Sequence, residues 1–328
     1  MELNDKVVLV TGGTGSFGSQ FVATILERYQ PRKVIVFSRD EHKQYDMQQS
    51  PAFRDRAEIR YFIGDVRDVA RLRMAMRGVD HVVHAAALKH VPATEYNPFE
   101  CIRTNVMGAE NVITAAIECG VRSVIALSTD KAVNPINIYG ASKLASDKLF
   151  VTANQLSAEG PTRFAVVRYG NVLASRGSII PLFRSMIEQG VDSLPVTDER
   201  MTRFWISMRQ GIDFVLSSGA RLHGGEIFVP KVPSMRIVDV VQAIAPGMRH
   251  HVIGIRPGEK IHEVLISGDD TAQVIEMDDR YIICPAQSPT TATAHLDAGG
   301  KSVDQGFTYA SGTNSEWLDA QGLNRLLT

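Results

Sequence analysis

Four side chains able to exchange protons fall within the short stretch STDKAVNPINIYGASK, Ser128 to Lys143. Tyr139 and Lys143 are four residues apart, so on a helix they share a face and can point into one cleft. Asp130 and Lys131 stand side by side just before them. A second set of residues has the spacing of a phosphate cradle: VTGGTGSFGSQ carries Gly12, Gly15 and Gly18 as T-G-x-x-G-x-x-G. Glycines so placed let the backbone turn tightly and approach a pyrophosphate, which rests on the amides of the following helix. The motif follows a clear strand and opens a helix, the context that makes dinucleotide binding its expected use. Thr14, Ser16 and Phe17, between the glycines, belong to the same cofactor loop.

The end of the second apolar run selects the cofactor. An NAD site usually has a carboxylate about twenty residues past the glycines for the ribose hydroxyls, whereas an arginine accommodates a 2′-phosphate. Here VFSRDEHK offers Ser38 and Arg39 first, then Asp40, with Lys43 one helical turn on, and the expectation is NADP. Ser38 or Asp40 could instead cap the next helix. Asp65, with Val66 beside it, is placed for the adenine, and Ala85 to Ala87 for the nicotinamide ribose.

The elements that must position these residues read as an alternation. KVVLVTGG, KVIVFSRD, IRYFIGD, DHVVHAAA, SVIALST and RFAVVRYGN are short Val/Ile-rich runs ended by Gly, Asp, Ser or Asn, the pattern of buried strands. Helical segments such as SFGSQFVATILERYQ, VARLRMAMRG and TNVMGAENVITAAIECG separate them. The expected fold is α/β, a Rossmann-type, doubly wound parallel sheet with right-handed crossovers. Residues 1–171 are expected to form the NADP-binding domain with the catalytic residues. Residues 172–328 are expected to be mainly a smaller substrate lobe, with some segments returning to the core. SRGSIIPLFRSMIEQG, TRFWISMRQGIDFVLSSG and PSMRIVDVVQAIAP read as helices, and PAQSPTTATAHLDAGG, 285–300, as a loop.

Composition narrows the class. The chain has 328 residues with 44% hydrophobic, enough to bury a full core. Its 35 basic and 36 acidic residues leave a net charge of −1, so no bulk field favours nucleic acid or an anionic membrane. Cys101, Cys119 and Cys284 are far apart, with neither a CxxC pair nor a disulfide-rich pattern, which fits a reducing compartment. His84, His90 and the His250-His251 pair lack metal-site spacing, and no metal is expected. The polar start MELNDK and the lack of a membrane-length apolar run predict a cytoplasmic protein.

YxxxK after a strand ending in Ser-Thr, together with the glycine motif, resembles the extended, nucleotide-sugar branch of the short-chain dehydrogenase/reductase superfamily. That resemblance implies that the Tyr139 phenolate removes a sugar hydroxyl proton while hydride passes to the nicotinamide. Lys143 would hold the ribose and Thr129 the substrate oxygen, and a nearby ammonium together with the cofactor's positive ring is expected to lower the phenol pKa. Thr129-Asp130-Lys131 goes further, since neither a simple oxidoreductase nor a 4-epimerase needs the Asp-Lys pair. It is similar to the UDP-N-acetylglucosamine 4,6-dehydratase group, where an acid and a base at these positions eliminate water across C5 and C6. The likeness extends through HAAALKHVP, ECIRTN, RYGNV, RGSIIPLF, MTRFW, GGEIFVPK and IRPGEKIHE. With Tyr139 and the late YASGTNSEWL it resembles the inverting branch serving pseudaminic acid biosynthesis. The resemblance implies that Lys89 reaches cofactor and substrate, that Lys131, Asn171, Arg176 and Ser178 line the sugar path, and that Thr197, Arg203, Arg256 and Glu259 surround the uridine diphosphate. It also implies an assembly of several subunits. C5-retaining dehydration, 4-epimerisation and a non-catalytic NADP-binding scaffold stay open at this point.

Overall fold

A computed structural model describes residues 1–157, 160–173, 178–269 and 273–327. The first half alternates as read: β1 (Val7–Thr11), α1 (Ser16–Arg28), β2 (Lys33–Ser38), α2 (Glu41–Gln49), β3 (Ile59–Ile63), α3 (Val69–Met76) and β4 (His81–His84). Then come α4 (Val91–Tyr96), α5 (Pro98–Ile102), a π-helical turn over Arg103–Met107, α6 (Gly108–Glu118), β5 (Ser123–Thr129), α7 (Ile138–Ser157) and β6 (Arg163–Tyr169). The six strands pair in parallel in the order β3-β2-β1-β4-β5-β6. That order reverses between β1 and β4, and a crevice opens there beyond the carboxyl ends of the strands. β1, β5 and β6 are buried nearly end to end, which is why they read as continuous apolar runs.

The second half contains β7 (Asn171–Val172), α8 (Ile179–Glu188), β8 (Ser193–Val196), β9 (Thr202–Ile206), α9 (Met208–Ala220) and β10 (Ile227–Pro230). It continues with β11 (Ser234–Arg236), α10 (Ile237–Ile244), β12 (Arg249–Val252), β13 (Val264–Ile266), β14 (Val274–Glu276) and β15 (Arg280–Ile283). Last are α11 (Pro289–Asp297), β16 (Lys301–Ser302), β17 (Tyr309–Ala310) and α12 (Ala320–Leu327). β10 joins β6 in parallel, and β15, β14 and β16 then extend the sheet antiparallel. The parallel sheet therefore acquires an antiparallel flank drawn entirely from the second half.

Three readings of the second half are corrected. TRFWIS is strand β9 before helix α9, and SMR is strand β11 before α10. The 285–300 stretch holds helix α11, with Pro289 at its first position. A short apolar run cannot be assigned to strand or helix by periodicity alone. Here the strands are decided by pairing partners distant in sequence: β9 pairs with β7 and β11.

Two apolar cores result. The larger spans the sheet and its helices; the smaller gathers Leu173, Ile180, Phe183, Leu194, Trp205, Met235, Val240 and Leu323. β9 forms the wall between them. Successive strand side chains face opposite ways, so Phe204 and Ile206 enter the larger core while Trp205 enters the smaller.

α7 is seated directly on the turn Asp130–Ala132 that follows β5. Asn137 starts the helix by accepting from the Gly140 N–H at 2.7 Å. Gly140 permits the contact, since a Cβ there would stand 2.2 Å from the Lys131 carbonyl oxygen. Gly140→Ala should therefore push α7 and the Lys131 turn apart. The expected loss is about 1–3 kcal/mol, seen as a lowered midpoint of thermal unfolding together with reduced turnover; an unchanged midpoint would contradict this packing account.

Candidate active site

The carboxyl end of β5 runs straight into the site. Thr129 donates its hydroxyl to Asp130 Oδ1 at 2.9 Å, and Lys131 Nζ lies 3.0 Å from that same oxygen. Lys131 Nζ is also 3.3 Å from Glu263 Oε1, and Glu263 Oε1 is 3.7 Å from Arg203 Nε. Asp130, Glu263 and Arg203 are buried, whereas the Lys131 side chain keeps 27% of its surface open. Tyr139 and Lys143 share one face of α7, both buried. Asp147, one further turn along, accepts from Ser128 Oγ at 2.7 Å and pairs with buried Arg168 at 3.2 Å, tying α7 to β5 and β6.

These distances set the charges. Burial favours the neutral form of Asp130, Glu263 repels its charge, and Lys131 and Thr129 only partly oppose them, so its carboxyl titrates above its ordinary value. Glu263 has the opposite outcome. Its burial is outweighed by Lys131, Arg203 and Lys260, and it stays ionised. For Lys131, burial is outweighed by the Asp130 and Glu263 carboxylates, which hold it as an ammonium. The site thus sets a carboxyl whose proton affinity is raised beside a flanked ammonium.

Burial dominates at Tyr139. It pushes the phenol up to about 12, with Asp130 and Asp147 adding to the rise, and Lys131 and Thr129 only partly compensate. The ammonium acting on the phenol is that of Lys131. Lys143 is itself held below its ordinary value by burial, against the pull of Asp147 and Cys101. Among the protein's own groups the desolvation of a phenolate outweighs the cations, so the expected lowering rests on the cofactor's positive ring.

The glycine crevice has the shape a dinucleotide needs. Gly12 has φ +64°, and a Cβ there would lie 2.9 Å from the Ala86 amide nitrogen; one on Gly18 would lie 2.4 Å from the Gly12 carbonyl oxygen. α1 begins at Ser16 behind Gly15, and no side chain caps its first N–H groups. A cavity of about 230 Å³ is lined by Gly12, Thr14, Ser38, Arg39, Asp40, Lys43, Val66 and Ala85. Within it the alternatives for the β2 end divide. Asp40 caps α2 through the Lys43 amide and pairs with Lys43 Nζ at 3.0 Å, and Ser38 accepts from Gln44. Arg39 is half exposed, 3.6 Å from Asp65, which is held more firmly by Arg67 at 2.7 Å. Phe17 stacks on Phe21 at the core edge. A larger cavity of about 490 Å³, lined by Arg163, His223 and Thr291 among others, contains none of the residues predicted to be catalytic.

The remaining predicted residues are spread over the second half. Gly258 accepts from the Asn137 side chain at 2.8 Å, and Lys260 Nζ donates to the Val133 carbonyl at 2.5 Å, so the 256–263 segment closes against the stretch between the Asp130–Ala132 turn and α7. It brings Glu259 with it, one of whose carboxylate oxygens is buried without a hydrogen-bond partner among the described residues. Arg256 is exposed at the start of this segment. Arg203 lies inside, with Nη1 donating to the Thr202 and Ile261 carbonyls and Nε facing Glu263, so its guanidinium is committed first to the protein rather than to an open phosphate path. Asn171 sits on β7 beside Trp205, Ser178 precedes α8 with its hydroxyl buried, and Thr197 contacts the Met201 sulfur. Arg176 lies outside the described residues. Lys89 is exposed on the loop after β4, a loop fixed by Asn105 from the π-helical turn, which bonds both Leu88 and Ser142.

Sequence reasoning missed Glu263, Asp147 and Asn105. Glu263 ends the quoted IRPGEKIHE, and Asp147 is four residues past Lys143 on the same helical face; those were the only signals. His84 is a neutral core histidine, hydrogen-bonded to Thr11 at 2.8 Å and depressed to about 3 by burial. No group of metal-ligating side chains occurs among the described residues, and none of their helices is long and apolar enough to cross a membrane.

Known proteins resemble this chain over nearly its whole length. The "UDP-N-acetylglucosamine 4,6-dehydratase (inverting)" of Campylobacter jejuni subsp. jejuni serotype O:23/36 is 54% identical over 325 residues, covering 98% of this chain and 96% of that protein. The "UDP-glucose 4-epimerase" of Rickettsia akari is 41% identical, covering 98% and 95%. Among solved structures, Pen from Bacillus thuringiensis superposes with a TM-score of 0.88 at 35% identity, covering 100% of this chain and 99% of that one. The family model described as "Polysaccharide biosynthesis protein" matches residues 8–285, and with that span and those relatives the chain belongs to this family.

Proposed function

We propose that the protein is a C5-inverting UDP-N-acetylglucosamine 4,6-dehydratase that keeps NADP tightly bound. The observation that carries this reading is the buried Asp130-Lys131 pair, 3.0 Å apart, set beside Thr129, Tyr139 and Lys143. A 4-epimerase has no use for a second acid and base, and the Campylobacter relative at 54% identity bears the name of this reaction. On the same reading the protein acts in the cytoplasm as an assembly of several subunits, at the first step of pseudaminic acid synthesis.

When bound, the nicotinamide dinucleotide supplies the acceptor for the C4 hydride and the donor that returns it at C6. Thr129 orients the 4-hydroxyl and Tyr139 takes its proton. The high phenol pKa makes the bound cofactor's positive charge useful here, since it favours the phenolate. A C4 ketone acidifies the C5 hydrogen. Lys131, as a free amine, removes that proton while Asp130 gives its own to the departing 6-hydroxyl, so the C5–H and C6–O bonds break and water leaves. Return of a proton to the opposite face of C5 gives the L-arabino 4-keto-6-deoxy sugar nucleotide. NADP is favoured over NAD because Arg39 and Lys43 line the crevice while the Asp40 carboxylate is used for capping and pairing.

Given UDP-N-acetylglucosamine in deuterated water, the purified protein should release a keto sugar lighter by one water, with no net change in reduced cofactor. Proton NMR of the first-formed product should show deuterium at C5 with the couplings of an inverted centre. A D-xylo first product would remove the inverting assignment, and an epimer as sole product would remove dehydration altogether.

Lys131→Ala should oxidise C4 and then stall, leaving reduced cofactor bound and elimination lowered by about 10²-fold or more. Tyr139→Phe should block oxidation itself, so no C5 exchange would be detected. Near-normal turnover by Lys131→Ala would show that another group is the base.

Arg39→Ala should weaken NADP binding by about ten- to a hundredfold, the scale of one lost hydrogen bond to a charged group, with NAD binding nearly unchanged. Calorimetric titration of cofactor-stripped protein measures both, and equal losses would assign Arg39 no part in the choice.

A further inference from the structure

The acid that closes IRPGEKIHE and the late YASGTNSEWL stretch have no part in the mechanism above, yet they meet at the catalytic turn. The Glu263 N–H donates to Ser311 Oγ at 2.9 Å, and the Ser311 N–H donates to the Glu263 carbonyl at 2.8 Å. Ser311 Oγ lies 2.7 Å from Thr202 Oγ1, which is itself 2.8 Å from His262 Nδ1. The pairing of β13 with β17 continues this clamp through Val264 and Ala310. Three segments remote in sequence thus fix one backbone position, and its side chain, only 2% of whose residue surface is exposed, points at Lys131.

The contacts of that side chain are unequal. Oε1 faces Lys131 Nζ at 3.3 Å and Arg203 Nε at 3.7 Å, while Oε2 is buried with no hydrogen-bond partner among the described residues. Asp130 Oδ2 is likewise buried with no hydrogen-bond partner among the described residues, so each of the two acids turns one oxygen to Lys131 and keeps the other unpartnered. Lys131 Nζ stands between two acids, 3.0 Å from Asp130 Oδ1 and 3.3 Å from Glu263 Oε1. Asp130 is assigned to the leaving 6-hydroxyl, which leaves Glu263 to fix where the Lys131 head group stands.

We propose that Glu263 is the positioning residue of the elimination step, its Oε1 holding the Lys131 head group at the substrate. This inference rests on the dehydratase reading.

Glu263→Gln preserves shape but removes the charge that holds Lys131. In this variant, UDP-N-acetylglucosamine should still be oxidised at C4, so reduced nicotinamide accumulates. Formation of the dehydrated product and deuterium uptake at C5 should each fall by about 10²-fold. Glu263→Asp, retaining the acid on a shorter arm, should recover part of the elimination rate. The inference is overturned if Glu263→Gln eliminates water within about threefold of the parent, or if C4 oxidation falls as far as C5 exchange in a folded variant. Glu263→Asp performing no better than Glu263→Gln would also overturn it. Should Glu263→Gln not fold, Glu263→Asp decides alone: slowed elimination with intact oxidation supports the role, and parental rates refute it. A parent protein that forms no dehydrated product would sink the dehydratase reading and this inference together, whereas a dehydrating parent matched by Glu263→Gln would sink only the inference.

Discussion

An ammonium can be packed under a protein lobe only if carboxylates accompany it, because desolvating an unpaired charge is too costly for a fold to bear. Lys131 is the point where that constraint acts. Asp130 reaches it from the adjacent residue, but Glu263 must be delivered from the far end of the chain. Delivery requires the 256–263 segment to lie against the turn, anchored by Lys260 on Val133 and Gly258 on Asn137, and requires β9 to hold Arg203 behind the glutamate. The small second core, with Trp205 filling it from one face of β9, is what keeps that strand in place.

The other half of the site depends on α7. Its close approach to the turn, possible because residue 140 has no side chain, places Tyr139 and Lys143 under cover rather than on a solvated helix face. Cover has an electrostatic consequence. It raises the phenol and depresses Lys143, while Asp147 partly offsets the latter and is itself neutralised by Arg168. On the proposed reading Tyr139 is therefore activated mainly by charges that arrive, in contrast to Lys131, whose partners Asp130 and Glu263 are already assembled.

On the proposed reading the two steps are also built from different levels of structure. The residues assigned to oxidation lie on neighbouring strands and the crossover between them: the glycine turn after β1, the alanines after β4 and the helix after β5. The residues assigned to elimination cross from β5 to β9, β13 and β17, joining the parallel sheet to the lobe.

The residues by themselves determined the local part of this protein. Six apolar runs with turn residues at their ends specify the parallel strands, because strands buried on both faces need continuous Val, Ile and Leu. The glycine spacing specifies a crevice, and the four-residue separation of Tyr139 and Lys143 specifies a common helix face; all of these are short-range relations. Tertiary structure alone decided the rest. TRFWIS became a strand through pairing with β7 and β11, and the segment read as a loop at 285–300 contains a helix packed near β14. Arg203 reads as a phosphate ligand until its partner Glu263 is seen, and Tyr139 as a lowered phenol until its burial is known. Charge states depend on desolvation and on neighbours a hundred residues away, and neither quantity is a property of a stretch of sequence.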